Sequence, residues 1–168
     1  IGVPSNYKKL RFWRNSSVAN LTTGQTASLG INTLGYEWDY EQPQYASSYP
    51  QGRITMSSAT VIGKTHKLSL YRHSSGALVF GAGTVQWSWG LDGQHWGGST
   101  TVSPDMQQAT VNLFADMGVQ AGNIQSGLTQ TSLSTDFTAP TATITSPANG
   151  ATFSVGATIN FSGNSSDA

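Results

Sequence analysis

The stretch GALVFGAGTVQWSWGLDGQHW, residues Gly76–Trp96, carries the strongest fold signal in this chain. It begins with the apolar run Ala77–Phe80 and continues through a turn that Gly81 and Gly83 punctuate. The turn leads into a loop with three polar residues and three tryptophans: Gln86, Asp92, His95, Trp87, Trp89 and Trp96. This order is typical of a buried strand that ends at a ligand site in an α/β sheet. We therefore expect a buried strand at the apolar run and a site in the loop after it.

One helix is expected after this loop. Ser103 suits the N-cap, Pro104 suits the first turn, and Asp105 complements the positive end of the helix dipole. Gly118 lies where a left-handed C-cap is expected. Apolar residues recur between them at helical spacing: Met106, Ala109, Leu113, Phe114 and Met117. The pattern predicts a helix over about 104–117 with one apolar face.

Upstream, the alternation of apolar and polar residues predicts several short strands. They are Lys9–Trp13, Thr26–Ile31, Leu34–Asp39, Arg53–Ile62, a segment in which His66, Leu68 and Leu70 alternate with polar neighbours, and Ala77–Gly81. Glu41–Gly52, rich in tyrosine and proline, is predicted to be a loop with aromatic side chains. The first domain is thus expected to be strand-rich α/β with one main helix.

The composition excludes several classes of function. The 168 residues include eight basic and eight acidic residues and no cysteine. A nucleic-acid surface needs a clustered basic patch, which is missing, and without cysteine there are neither disulfides nor thiolate metal sites. No apolar stretch is as long as a membrane span. Because Ile1 is neither an initiator Met nor part of a charged leader, we expect a segment of a longer protein.

A change in composition after Gly127 predicts a domain boundary. We expect a first domain at 1–128, a polar linker at 129–139 and an all-β domain at 140–168. In the last of these, Ile144 opens a short strand and the alternating run Phe153–Phe161 is the next. A β-sandwich needs about seven strands, so these would be only its first strands.

Four segments together resemble one family region. They are Arg11–Arg14 (RFWR), Leu34–Asp39 (LGYEWD), Gly76–Asp92 (GALVFGAGTVQWSWGLD) and Pro104–Val119 (PDMQQATVNLFADMGV). The region is the C-terminal domain of proteins related to the large subunit of N,N-dimethylformamidase, found in secreted bacterial multidomain proteins. The resemblance covers roughly Tyr7–Gly122. It implies the closing part of a glutamine-amidotransferase-like α/β domain, in which a strand, a loop and the final helix follow one another.

The tail from Thr138 carries a second resemblance. Its pattern TAPTATITSPANGATF is similar to the opening of a bacterial Ig-like domain. This implies that 140–168 is a truncated Ig-like domain and that the protein is extracellular or at the cell surface.

The first resemblance also bears on cofactors. The formamidase holds a mononuclear iron through tyrosines and a glutamate, so the resemblance implies iron as a cofactor, with Glu37 as the one matching ligand. The tyrosine ligands are not assigned, and further ligands or a nucleophile would lie before Ile1. Iron enters through this resemblance alone.

Glu37 and Asp39 flank Trp38 in a strand-like segment, so their side chains are expected on one face. Paired carboxylates could serve acid–base chemistry or bind a metal. Alternatively, Glu37 pairs with Arg11 or Arg14 and Asp39 begins a turn. We favour this second interpretation because carboxylates near arginines are usually structural ion pairs.

The three tryptophans of the loop have two interpretations. Trp87, Trp89 and Trp96 could form an aromatic platform for a sugar ring, and Trp87 and Trp89 would share a face if extended. They could equally be a packing plug that closes the sheet over the last helix. Both interpretations stay open.

The histidines suggest little chemistry. Asp92 and His95 resemble an orienting group and a base, but no G-x-S-x-G nucleophile motif accompanies them. The spacing of His66 and His73 matches no common zinc motif. We favour surface or packing roles for all three histidines.

Two functions follow from these observations. The first is a ligand- or polysaccharide-binding or structural module of a large secreted bacterial protein, with the aromatic loop Trp87–Trp96 as its contact. The alternative is the C-terminal portion of a metal-dependent amidohydrolase-like catalytic domain. The missing nucleophile, the surface rich in Ser, Thr and Gly, and the Ig-like tail favour the first. As partners we expect the upstream part of the polypeptide or another copy of the chain, and a polysaccharide, but no nucleic acid and no membrane.

Overall fold

Two units make up the computed structural model, which describes residues 1–99 and 101–167: Ile1–Leu133 and Ser134–Ala168. The strands of the first unit are β1 (Gly2–Pro4), β2 (Thr26–Ser28), β3 (Ile54–Thr55), β4 (Ala59–Val61), β5 (Lys64–His66), β6 (Ser69–Arg72), β7 (Leu78–Gly81), β8 (Gln94–His95) and β9 (Gly98–Ser99). Its helices are α1 (Pro104–Asp116) and the 3-10 helices Ser5–Tyr7, Arg11–Trp13, Ser17–Asn20, Pro43–Ser48 and Trp87–Gly90. The second unit contains β10 (Thr141–Ser146) and β11 (Ser162–Ser166). The expected mixture of many strands with one main helix is confirmed.

Every strand pair in the described part of the chain is antiparallel. The largest sheet has the order β3-β6-β7, which makes β7 an edge strand. The strand expected at Ala77–Gly81 is confirmed as β7, but its expected burial is wrong, because Val79 is exposed and its neighbours are only half-buried. An antiparallel sheet can leave one face in water. Here the cross-strand pair Leu70–Phe80 packs against the core, and the pairs Ser69–Gly81 and Tyr71–Val79 lie on the other face.

The core joins the N-terminal segment, the middle of the chain and one face of α1. Its buried residues are Ile1, Val3, Phe12, Trp13, Val18, Leu29, Met56, Leu68, Met106, Ala109 and Leu113. His66 and Leu68 are buried and Leu70 packs on the core, as the alternation in this segment predicted.

The predicted helix is confirmed as α1. The side chain of Ser103 accepts a hydrogen bond from the backbone N–H of Met106, and Gly118 adopts a φ of 78° beyond the last turn. The buried stripe is narrower than expected, since Phe114 and Met117 are exposed. The fully buried amide of Asn112 lies on the core-facing side instead.

Two predicted strands are wrong because their residues serve other structures. Lys9–Trp13 contains a 3-10 helix, and the consecutive residues Phe12 and Trp13 are both buried, which a strand with one face in water would not allow. In Leu34–Asp39 only Trp38 forms a bridge, to Thr84. The backbone N–H groups at positions 35 and 36 donate instead to the side chain of Gln86.

Two other strands are shorter than expected. Thr26–Ile31 ends as a strand at Ser28. Arg53–Ile62 divides into β3 and β4, which belong to different sheets, because Met56 and Ser57 between them are both buried. The backbone N–H of Met56 donates to the carbonyl of Leu68, and the Ser57 hydroxyl accepts from the Leu68 N–H.

Part of the predicted linker is anchored to the first unit. The side chain of Gln108 in α1 bonds both the N–H and the carbonyl of Thr129, at 2.7 and 2.9 Å. Arg11 and Arg14 donate to the carbonyl of Ser132. The segment up to Leu133 accordingly belongs to the first unit.

In the second unit, β10 contains the predicted strand at Ile144 and pairs with β11. The predicted strand at Phe153–Phe161 is wrong: the paired strand is the polar segment that follows it. Phe153, Val155, Ile159 and Phe161 are all exposed, so no apolar face holds that run in a sheet here.

None of the helices in the described part of the chain combines the length and apolarity that crossing a bilayer requires.

Candidate functional site

Trp87 contacts the core. The segment Trp87–Gly90 is a 3-10 helix with about three residues per turn, so Trp87 and Trp89 do not share the face that an extended chain would give them. The Trp87 ring lies 5.3 Å from that of Phe80, centroid to centroid, in an edge-to-face arrangement. Its indole N–H donates to the hydroxyl of Thr110 in α1 at 3.3 Å. These contacts are those of a packing residue between the sheet and the helix.

The structure brings Trp89 and His95 together. Their rings stack with centroids 4.0 Å apart and planes within 10°. His95 lies in β8, and Trp96, at the turn that follows, is 91% exposed. A carboxylate oxygen of Asp92 accepts the backbone N–H of Gln94 at 2.8 Å, which shapes the turn into this hairpin. Three of the predicted residues thus form one surface feature, the aromatic loop Trp89, His95 and Trp96.

Glu37 and Asp39 are both exposed on either side of the bridge made by Trp38. The predicted pairing of Glu37 with Arg11 or Arg14 is wrong. Both arginines bind the carboxylate of Asp116 at 2.8 Å, because the N-terminal segment packs against the last turn of α1. Asp39, a predicted candidate, lines a cleft. The sequence analysis did not identify this cleft as a site.

This tyrosine cleft covers the solvent-facing side of the three-stranded sheet and has a volume of about 410 Å³. Its lining residues are Asp39, Tyr40, Glu41, Gln42, Tyr45, Tyr49, Pro50, Arg53, Lys67, Ser69, Tyr71, Val79, Gly81 and Gly83. Two features of the sequence belong to this cleft, although neither indicates a site by itself: the high tyrosine content of Glu41–Gly52, and the outward positions of Ser69 and Tyr71 in their alternating segment. A cleft of this size, with aromatic walls and a few polar groups, is the usual form of a small-molecule site.

Glu41 is the electrostatic centre of the cleft. Its two carboxylate oxygens bind Arg53 and Lys67, one each. The hydrogen bond from Lys67 lowers the pKa of Glu41; burial opposes this, and Arg53 adds to it. Both oxygens of this carboxylate are therefore engaged by cations of the protein.

The iron that the family resemblance implies finds no support at Glu37. Among the described residues, no three His, Cys, Asp or Glu side chains come together as metal ligands. Glu37 lies exposed on the surface, and the oxygens of Glu41 are held by Arg53 and Lys67. The hydroxyl of Tyr49 accepts the backbone N–H of Gln42.

His66 is a buried packing residue beneath the bridge. Its Nε2 lies 2.9 Å from the carbonyl oxygen of Ala82, and its ring meets that of Trp38 edge to face. Burial lowers its pKa, because the charged imidazolium is poorly solvated there. A neutral buried imidazole fits the structural role that we favoured for it.

Comparison with known proteins adds two family matches. Residues 3–105 match the family described as N,N-dimethylformamidase beta subunit-like, C-terminal, and residues 140–168 match the bacterial Ig domain family. The first match ends at the start of α1, earlier than the resemblance to Gly122 suggested, and the second agrees with the expected start of the tail. No curated protein and no solved structure matches the chain.

Proposed function

Because the chain belongs to the N,N-dimethylformamidase beta subunit-like, C-terminal family and continues into a bacterial Ig domain, we propose that its first unit is a non-catalytic polysaccharide-binding module of a larger, exported bacterial protein. The Ig domain supports an extracellular or cell-surface location, where such domains link other modules. Glu41 and Asp116 are both engaged in ion pairs, which supports a structural rather than a catalytic role for these two carboxylates.

The observation that carries the proposal is the aromatic loop. A tryptophan that is 91% exposed is unusual, because large aromatic side chains normally bury most of their area. The stacked rings of Trp89 and His95 next to it add a flat surface. The electron-rich face of an aromatic ring attracts the C–H groups on one side of a sugar ring, so such a surface suits a polysaccharide.

Binding of the full chain to insoluble cellulose, chitin and xylan would test this role. We expect Trp96→Ala to weaken binding to one of these polymers about tenfold, and Trp89→Ala to weaken it further by removing the stack. Tyr36→Ala is the matched control, because Tyr36 is 86% exposed but lies outside the loop. Circular dichroism would check that the variants fold. Unchanged binding in both folded tryptophan variants would show that the aromatic loop is not the polysaccharide-binding surface.

The family match favours a second candidate, the C-terminal portion of a metal-dependent amidohydrolase-like catalytic domain. Its ligands would have to come from the upstream part of the polypeptide or from another copy of the chain. Elemental analysis of protein purified with its upstream region tests this candidate. A stoichiometric transition metal would support it, and a metal-free protein without amidase activity would count against it.

The glutamine-amidotransferase-like fold also stays a proposal. The order of β7, the loop after it and α1 supports the closing part of such a domain. An experimental structure that includes the upstream region would test it. We expect additional strands to extend the sheet at β7 or β3, and a sheet that ends at these two strands would contradict the proposal.

A further inference from the structure

We propose that the tyrosine cleft is a second binding site, separate from the aromatic loop, and that it takes a short neutral oligosaccharide. No residue of the aromatic loop lines the cleft. The proposal therefore rests on the cleft alone and stands or falls independently of the role of Trp96.

The walls of the cleft match the two-sided character of a sugar. Tyr40, Tyr45, Tyr49 and Tyr71 each present an apolar ring and a polar hydroxyl. A pyranose likewise has apolar C–H faces and a rim of hydroxyl groups. Tyrosine provides both kinds of contact while losing little conformational entropy, because only two side-chain torsions are fixed.

The walls are held in place without a ligand. The Arg53 guanidinium lies over the ring of Tyr49 at 4.3 Å, and the Lys64 ammonium lies over Tyr40 at the same distance. The Tyr49 hydroxyl accepts the backbone N–H of Gln42 at 3.0 Å. The ion pairs of Glu41 tie this aromatic segment to the chain beside the sheet. Ligand binding would therefore cost little ordering of the protein.

At Gly81 the floor of the cleft is formed by the hydroxyl of its cross-strand partner. Gly81 is paired with Ser69 on the solvent-facing side of the sheet, and a Cβ at Gly81 would lie 2.9 Å from the Ser69 hydroxyl oxygen. A side chain at position 81 would therefore displace that hydroxyl. With glycine there, the Ser69 hydroxyl lies at the floor beside the pair Tyr71–Val79 and can bond a sugar hydroxyl.

The charge balance of the lining favours a neutral ligand. The positive charges of Arg53 and Lys67 are offset by the negative charges of Glu41 and Asp39. Both cations are bound to Glu41, and with Asp39 included the lining carries no net charge. The carboxylate of Asp39 is exposed and can accept hydrogen bonds from sugar hydroxyls, whereas it would repel a uronate.

Calorimetric titration of the full chain with defined hexasaccharides tests the proposal. The neutral probes are those of cellulose, xylan, mannan and chitin, and the anionic probe is oligogalacturonate. We expect at least one neutral probe to bind and oligogalacturonate to bind more weakly. Binding of oligogalacturonate alone, or of none of the probes, would overturn the proposal.

Variants then locate the binding. Tyr45 is 55% exposed, so Tyr45→Ala should fold normally and lower the affinity for the neutral probe about tenfold. Tyr71→Phe keeps the ring and removes one hydroxyl, so we expect the affinity for the same probe to fall roughly two- to tenfold. Gly81→Val fills the floor and should abolish binding. Tyr36→Ala, at an exposed residue outside both sites, should leave the affinity for this probe unchanged. If Trp96→Ala alone reduces the affinity, the cleft is not the site.

Discussion

Asn112 is the side chain through which α1 holds two other segments of the first unit. It is fully buried, and its amide nitrogen donates to the carbonyls of Phe12 and Arg14 at 2.9 and 2.7 Å. Its amide oxygen accepts from Gln108 at 3.0 Å and from Thr131 at 3.3 Å. All four hydrogen bonds depend on one polar side chain on the core-facing side of the helix.

Replacing Asn112 with leucine keeps a similar volume and removes these bonds. Two backbone carbonyls then lose a donor inside the protein, at about 1–3 kcal/mol each, or about 4 kcal/mol together. The larger apolar burial of leucine offsets about 1 kcal/mol of this. We therefore expect Asn112→Leu to lower the free energy of unfolding by about 3 kcal/mol, a large share of the roughly 5–15 kcal/mol typical of a domain.

Urea unfolding followed by tryptophan fluorescence measures this change. All five tryptophans lie in the first unit, so the signal reports that unit alone. The exposed Asn20→Leu is the matched control and should change stability by less than about 0.5 kcal/mol. A loss below about 1 kcal/mol at Asn112, with an unchanged dependence on urea, would refute the idea that this amide joins the segments.

Three further predictions concern pH, packing and the helix cap. The pKa of Glu41 is lowered in the folded state, so its ion pairs stabilise the protein above the usual pKa of glutamate, and this effect is lost as the pH falls through the lowered, folded-state pKa. Glu41→Gln should therefore lower the urea midpoint more at about pH 7 than at about pH 3, and an equal loss at both would contradict the assignment. A methyl group at Gly90 would collide with the thioether of Met106, so Gly90→Ala should destabilise by about 1–3 kcal/mol, while Gly122→Ala, in open space, should be neutral or stabilising in the same thermal melt. Ser103→Ala should cost about 1 kcal/mol by removing the cap of α1, and Ser103→Asp should restore it; equal melting temperatures for the two variants would count against the cap.

Local patterns sufficed where neighbouring residues decide the structure. The helix was predicted nearly to the residue, because its cap, first-turn proline and C-terminal glycine act within a few positions. The turn of the chain at Ser74–Gly76, where the Gly76 N–H donates to the carbonyl of His73, also follows from local chemistry. The strands were less predictable, since a short run that mixes apolar and polar residues can also form a 3-10 helix. Arg11–Trp13 does so and buries the consecutive residues Phe12 and Trp13.

The two candidate sites also differ in how far the sequence alone reveals them. The aromatic loop was visible in the sequence because Trp89, His95 and Trp96 are close along the chain. The tyrosine cleft was not visible in the sequence, because Glu41, Lys67 and Gly81 come together only when two segments fold over one sheet. Their sequence separation leaves no spacing that a motif could reveal.

By itself, the sequence determined the helix, the modular organisation and the family, all of which depend on residue order or local pattern. Only the tertiary structure decided that Trp87 packs against the core, that Arg11 and Arg14 bind Asp116 rather than Glu37, and that β7 is an edge strand. These outcomes depend on which distant segments compete for the same buried space. That competition is resolved by packing across the whole unit, so nearby residues alone do not predict it.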